Sequence, residues 1–246
     1  MNGHDVIIGK SSLQSERTRC RYSFPIITSP PGRSEPVRRM ESKSAAVSSS
    51  VLLLLLLLLA PAATSGRPLA AGKPDPDDAA ATARWLVAQN SWGVLSTISS
   101  DLGGSPFGNV VSFSDGEPGE GCGIPYFYLT TLDPTARDAL TDGRSSFTLS
   151  EFPLGSCGKI DPENPTCAKL TLTGKLKLVD SQSSEAEFAR DALFAKHREM
   201  NDWPKNHNFQ IFKLEIEDIF LIDWFGGPKP LSPAQYLNHG KELSVI

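Results

Sequence analysis

At 246 residues the chain has room for one domain, with or without a processed leader, and its net charge of −4 conceals two parts of opposite sign. Residues 1–65 hold eight Lys/Arg and four Asp/Glu, hence +4, and the rest of the chain carries −8. An acidic main domain without a basic stripe excludes direct DNA or RNA binding, where neutralised phosphates supply much of the affinity.

The first feature in chain order is Val51–Ala60, a valine, eight leucines and an alanine, followed by the small residues of Ala60–Gly66. With Lys43 ahead of it, this reads as a secretory signal peptide over residues 40–65, its core too short for a stable membrane anchor. Met40 opens that segment. Residues 1–39 therefore read as an upstream extension, disordered or not translated; their arginines and serines also fit an organelle transit peptide. Residues 66–76, rich in Pro, Gly and Ala, read as a linker, and 77–246 as the folded domain.

Asp75-Pro76-Asp77-Asp78 predicts a helix start, with Ala83, Leu86, Val87 and Asn90 on the packed face. Ser91–Ser99 and Phe107–Phe113 predict a hairpin across the turn Asp101–Pro106. Asp115–Gly123 is glycine-rich but carries Asp115, Glu117 and Glu120 and lacks the Lys-Ser/Thr ending of a phosphate loop, so it reads as a flexible connector. Pro125–Leu129, Ser145–Phe152 and Leu170–Val179 predict three more strands, with Gly174 where a bulge would fall. Asp133 caps a short helix through Thr141, and Ser184-x-x-Glu187 opens another through about His197.

Phe209–Pro228 closes the pattern. Phe212, Leu214 and Ile216 alternate with charged residues, whereas Ile219–Ile222 is an apolar run that predicts burial on both faces. Trp224, Phe225 and the Gly226-Gly227 turn are expected to shape the barrel wall. Six or seven strands with a few peripheral helices suit a mainly β, α+β fold, a closed or split barrel. Pro233–Ile246 predicts a short helix and tail.

Cys157 and Cys167 bracket a turn-rich loop, and in an oxidising compartment a disulfide there adds about 2–3 kcal/mol. Two cysteines without a CxxC do not make a zinc site, and no metal site is expected. Cys122 stays open: buried thiol, mixed disulfide or intermolecular bridge. No nucleophile elbow, HExxH, Walker or dinucleotide motif is present, so no catalytic residue is assigned. His197 is expected to cap a helix as a cation, and His207 to pack in its loop.

FGNVVSFSDG, GIPYFYLTTLD, the Cys157/Cys167 loop, WPKNHNFQIFKLEI and IDWFGGPKPLSPAQY together resemble the CREG (cellular repressor) family of secreted glycoproteins. The resemblance spans about Ala81 to Tyr236. It implies an FMN-binding split β-barrel of the pyridoxamine-phosphate-oxidase-like class, a homodimer, and a cofactor cleft obstructed by an inserted loop. It also implies a non-enzymatic protein of the secretory pathway, extracellular or vacuolar/lysosomal, acting through its dimer surface and an unidentified protein partner or receptor. The chain departs from the family in lacking an Asn-x-Ser/Thr site, since Asn164-Pro165-Thr166 is blocked by its proline, and in carrying Cys122.

The residues agree with a missing cofactor site. Between Trp85 and Lys159 the only basic residues are Arg137 and Arg144, poor provision for a dianionic phosphate. No cofactor is therefore expected. The alternative is an FMN-dependent oxidoreductase with Arg137 on the phosphate and Asn109 or Tyr126 near the ring.

Overall fold

The computed structural model describes residues 72–240. The extension, the signal segment, most of the linker and the tail beyond 240 lie outside them.

Six strands run antiparallel in one sheet: β1 (Trp92–Ile98), β2 (Pro106–Ser112), β3 (Tyr126–Leu129), β4 (Arg144–Ser150), β5 (Lys169–Leu178) and β6 (Gln210–Ile222). Their order is β2-β1-β4-β5-β6-β3. The sheet curls until its edges meet just beyond β2, where Ser114 and Tyr126 exchange backbone hydrogen bonds of 3.1 and 2.8 Å. Alternation decides what goes inside. Leu95, Phe127, Phe147, Leu149, Leu170, Leu172, Leu214 and Leu221 point into the lumen and are buried.

Among the described residues four α-helices pack on this barrel: α1 (Ala79–Gln89), α2 (Pro134–Thr141), α3 (Ser184–Lys196) and α4 (Pro233–Asn238). α1 starts later than expected because Asp78 is the residue whose carboxylate accepts from the Ala81 N–H; Pro76 belongs to the turn before it. Likewise Ser183, not Ser184, caps α3 by accepting from the Ala186 N–H. α2 begins as its sequence predicts, with Asp133 as cap and Pro134 just inside. α3 lies over β3 and the first half of β6, burying Val179, Ala186, Ala189, Leu193, Met200 and Ile211 with the Cys122 thiol.

β6 corrects the expectation of a segment buried on both faces. It is one strand of 13 residues with a bulge: Thr173 pairs with Asp218 and Gly174 with Ile216, leaving Glu217 as the extra residue. The bulge shifts the inward phase from Phe212 and Leu214 to Ile219 and Leu221, so Phe220 faces out and is exposed. Gly174 permits this kink, since a Cβ there would overlap the carbonyl oxygen of Glu215. Trp224 and Phe225, expected in the barrel wall, are instead exposed beyond the strand. The Cys157–Cys167 disulfide forms as expected, with an S–S distance of 1.99 Å.

Candidate functional site

Asn109 and Arg137 are each held by partners of their own around the start of α2. Asn109, on β2, donates from Nδ2 to Asp133 Oδ2 and Thr135 Oγ1, both at 3.0 Å. Arg137, one turn into α2, donates to the Thr131 and Leu132 carbonyls (3.0 and 3.3 Å) and to Asp101 Oδ2 at 2.8 Å. Its charge is thus compensated, and more carboxylate stands close by. Buried Asp138 accepts from Thr97 Oγ1, Ser100 N and Ser100 Oγ. Burial works to raise its pKa, but those hydrogen bonds and Arg137 prevail and hold it below the usual carboxylate range. Arg144, the other cation of the region, is paired with Asp142 and holds that carboxyl at about 2. A flavin phosphate needs cationic donors, and both arginines of this region are already paired with carboxylates.

Tyr126 goes elsewhere. It points to α3, where its hydroxyl donates to Glu185 Oε1 at 3.0 Å and Lys213 Nζ lies 2.9 Å from both Glu185 oxygens.

The glycine-rich loop is anchored at its base, contrary to a flexible connector. Asp115 is buried: its carbonyl accepts from Cys122 N (2.7 Å) and its Oδ2 from Gly123 N (3.1 Å). Arg84 of α1 donates to the Gly121 carbonyl and lies over the ring of Tyr236, whose hydroxyl donates to the Gly123 carbonyl at 2.7 Å. Gly123, at φ 84°, has no room for a Cβ beside Arg84. Burial pushes the Tyr236 phenol well up and keeps it a donor.

His197 is the C-cap of α3, as its place at the helix end suggests, but burial opposes the expected cation. It is buried, and its Nε2 lies 2.9 Å from the Phe113 carbonyl oxygen. A carbonyl only accepts, so Nε2 carries a proton and donates. Burial lowers its pKa; the Phe113 bond and Glu199 work upward, and the adjacent Lys196 adds to the lowering. Lys196 Nζ sits 4.5 Å from the centre of the Phe113 ring. His207 stacks on Phe209 in its loop, 6.3 Å between centroids, as a packed residue would.

Sequence reasoning missed Glu151. This buried carboxylate accepts from Lys73 Nζ (2.7 Å), Ala168 N (2.8 Å) and Ser156 Oγ (2.9 Å), tying the end of the expected linker to the disulfide loop. Burial works to raise its pKa, and these partners together hold it below the usual value. Lys169 completes the loop by reaching the carbonyls of Pro162, Glu163, Asn164 and Cys167 at 2.9–3.3 Å. Among the described residues the group close enough to hold a metal ion is Glu151, Cys157 and Cys167. There the two sulfurs are joined to each other, and a disulfide is not the thiolate that metals bind.

The outer face of β2-β1-β4-β5-β6 is bare of charge along one registered row. Val110 pairs with Val94, Val94 with Thr148, Thr148 with Thr171, and Thr171 with Phe220. The two threonine hydroxyls lie 3.0 Å apart and satisfy one another. Val94, Val110 and Phe220 are 37%, 64% and 43% exposed, and Trp92 two residues before Val94 is 42% exposed.

The family description "CREG, beta-barrel" matches residues 74–238. Protein CREG1 of Gallus gallus is 40% identical over 171 residues, covering 67% of this chain and 88% of that one. Protein CREG1 of Homo sapiens is 38% identical over 169 residues, covering 67% and 76%. Among solved structures, a heme binding protein from Mycobacterium smegmatis superposes with a TM-score of 0.54 at 18% identity, covering 68% of this chain and 62% of that one. That last likeness is one of fold, the split β-barrel. The blocks from FGNVVSFSDG to the Pro233 helix thus fall within one matched span that includes every strand described above, and the chain belongs to the CREG family.

Proposed function

We propose that this is a non-enzymatic protein of the secretory pathway, extracellular or vacuolar/lysosomal, that acts through a homodimer surface and protein partners and keeps only a degenerate flavin site. The observation that carries this reading is the uncharged row Val110–Val94–Thr148–Thr171–Phe220. Exposed apolar side chains on three of the five strands, joined by two half-buried threonines, favour burial against a matching surface, and a two-fold dimer buries the same row on both copies. The hydroxyls of the row are already satisfied, so burying them leaves little polar desolvation uncompensated. The leucine run 52–59 and the disulfide support an oxidising compartment. Among the described residues no helix is long and apolar enough to cross a membrane.

Sedimentation of the processed protein from a secreting host tests the dimer. A dimer at micromolar concentration that Val110→Glu converts to a folded monomer is the expected result. A wild-type monomer at that concentration overturns the dimer-surface reading.

A flavin-dependent oxidoreductase is the second reading, favoured by Asn109 bonding the first residues of α2 while Arg137 stands one turn into the same helix. Visible absorption after gel filtration with added FMN separates the two. A retained flavin band that Arg137→Glu abolishes supports the oxidoreductase, and a colourless protein supports the degenerate site.

A further inference from the structure

The weakest seam of the barrel lies beside a buried histidine. Neighbouring strands in the sheet are joined by ladders of three to ten paired residues, whereas the β2 and β3 edges meet at the single bridge between Ser114 and Tyr126. Phe113, the residue before that bridge, is held three ways. Its N–H donates to the Ser91 carbonyl at 3.2 Å, its carbonyl accepts from His197, and its ring packs edge-on to Phe147 with Lys196 Nζ above it. The end of α3 therefore fastens the chain next to the point where the barrel closes.

We propose that His197 is an acid-sensitive latch on this seam: gaining a proton at Nδ1 loosens the Ser114–Tyr126 bridge and opens β2 from β3 while the other five ladders stay paired.

A proton added at Nδ1 leaves the donor at Nε2 intact but places a cation in a buried site, directly after Lys196 in sequence. The charged groups around the pair are Lys196 itself, Glu199 on the turn that follows, and Asp115 from the β2–β3 connection, whose field acts on Lys196. Asp115 is already engaged by the backbone of Cys122 and Gly123, and Arg84 closes the far side of that connection. A second cation thus enters a buried site beside Lys196, and desolvation makes it costly. The least expensive relief is to break two backbone hydrogen bonds at the bridge and admit water, rather than to break a ladder. Opening exposes Phe113 and the ends of β2 and β3, an edge suited to strand addition. Physiological use of the latch rests on the acidic destination proposed above; the latch itself is measured in vitro without reference to it.

The test is hydrogen exchange by mass spectrometry on the intact processed protein from pH 7.5 to 4.5, corrected for intrinsic exchange. Peptides covering residues 113–126 should gain exchange as pH falls below the ordinary histidine value of about 6.5. The gain is up to about tenfold in opening per pH unit, while β5 and β6 peptides stay protected. His197→Gln, which keeps a donor and cannot titrate, should flatten the profile. Should that variant fail to fold, the His197 ring is followed by NMR in the wild type. Titration of the ring in step with seam exchange supports the latch. A pH-independent seam, a ring that titrates without seam opening, or barrel-wide exchange that rises together with the seam overturns it.

Discussion

The ring of Phe147 stands edge-on to that of Phe113, with centroids 4.8 Å apart and planes 69° apart, and meets Phe127 in the same way at 5.0 Å. Three distant parts of the sheet, β4, β3 and the end of β2, thus touch through one side chain inside the barrel. Phe147→Ala removes both edge contacts and leaves a lumen cavity, and should cost about 3–5 kcal/mol. Urea unfolding followed by tryptophan fluorescence measures it, and a loss under about 1 kcal/mol would mean the lumen refills.

Lys73 neutralises buried Glu151, and its removal leaves that carboxylate without a cation. Because the lysine is one-third exposed, Lys73→Ala should cost about 1–3 kcal/mol, below the value for a fully buried pair. The pH dependence follows from the direction of the shift. A folded-state pKa held below the unfolded value near 4.5 stabilises above that value, and the contribution is lost as pH falls through the folded pKa. With Lys73 gone, burial acts against fewer opposing partners, so acid unfolding should begin at higher pH. Circular dichroism titration of both proteins between pH 7 and 3 reads the difference.

Gly174→Val should be among the most damaging single changes in the sheet. The new Cβ meets backbone rather than a flexible side chain, so the bulge at Glu217 must reorganise. A loss of about 3 kcal/mol or more, or a collapse in soluble yield, is expected, against a small effect for Leu178→Ala at the exposed end of the same strand. Comparing their melting temperatures decides it.

Replacing both Cys157 and Cys167 by alanine opens a loop with a sequence separation of 10 and should cost about 2–3 kcal/mol. The Lys169 ammonium still gathers four loop carbonyls, so the rest of the barrel should stay folded at 25 °C. Denaturation midpoints with and without reductant measure the effect, and the double variant should show none with reductant.

Local chemistry wrote much of this protein into its sequence. β-forming runs bounded by turns, with clear alternation in Leu170–Val179, placed five of the six strands to within two residues. Asp133 with Pro134 announced α2 because capping needs only neighbours. The motif blocks carried the family, and Cys157 with Cys167 carried the disulfide.

What needed the tertiary structure was every property set by partners far along the chain. Glu151 takes its cation from 78 residues away, and His197 takes its acceptor from 84. Read alone, His197 at a helix end is a cation; burial works against that charge and lowers its pKa. Ile219–Ile222 looked apolar on both faces because the bulge that turns Phe220 outward is created by pairing with Gly174 on another strand. Only the fold showed that Asn109 bonds Asp133 and Thr135, and that Asp101 and two carbonyls hold Arg137. Periodicity and capping are decided over a few residues and so are legible in sequence, whereas charge state and exposure depend on which surfaces meet, and the fold alone decides that.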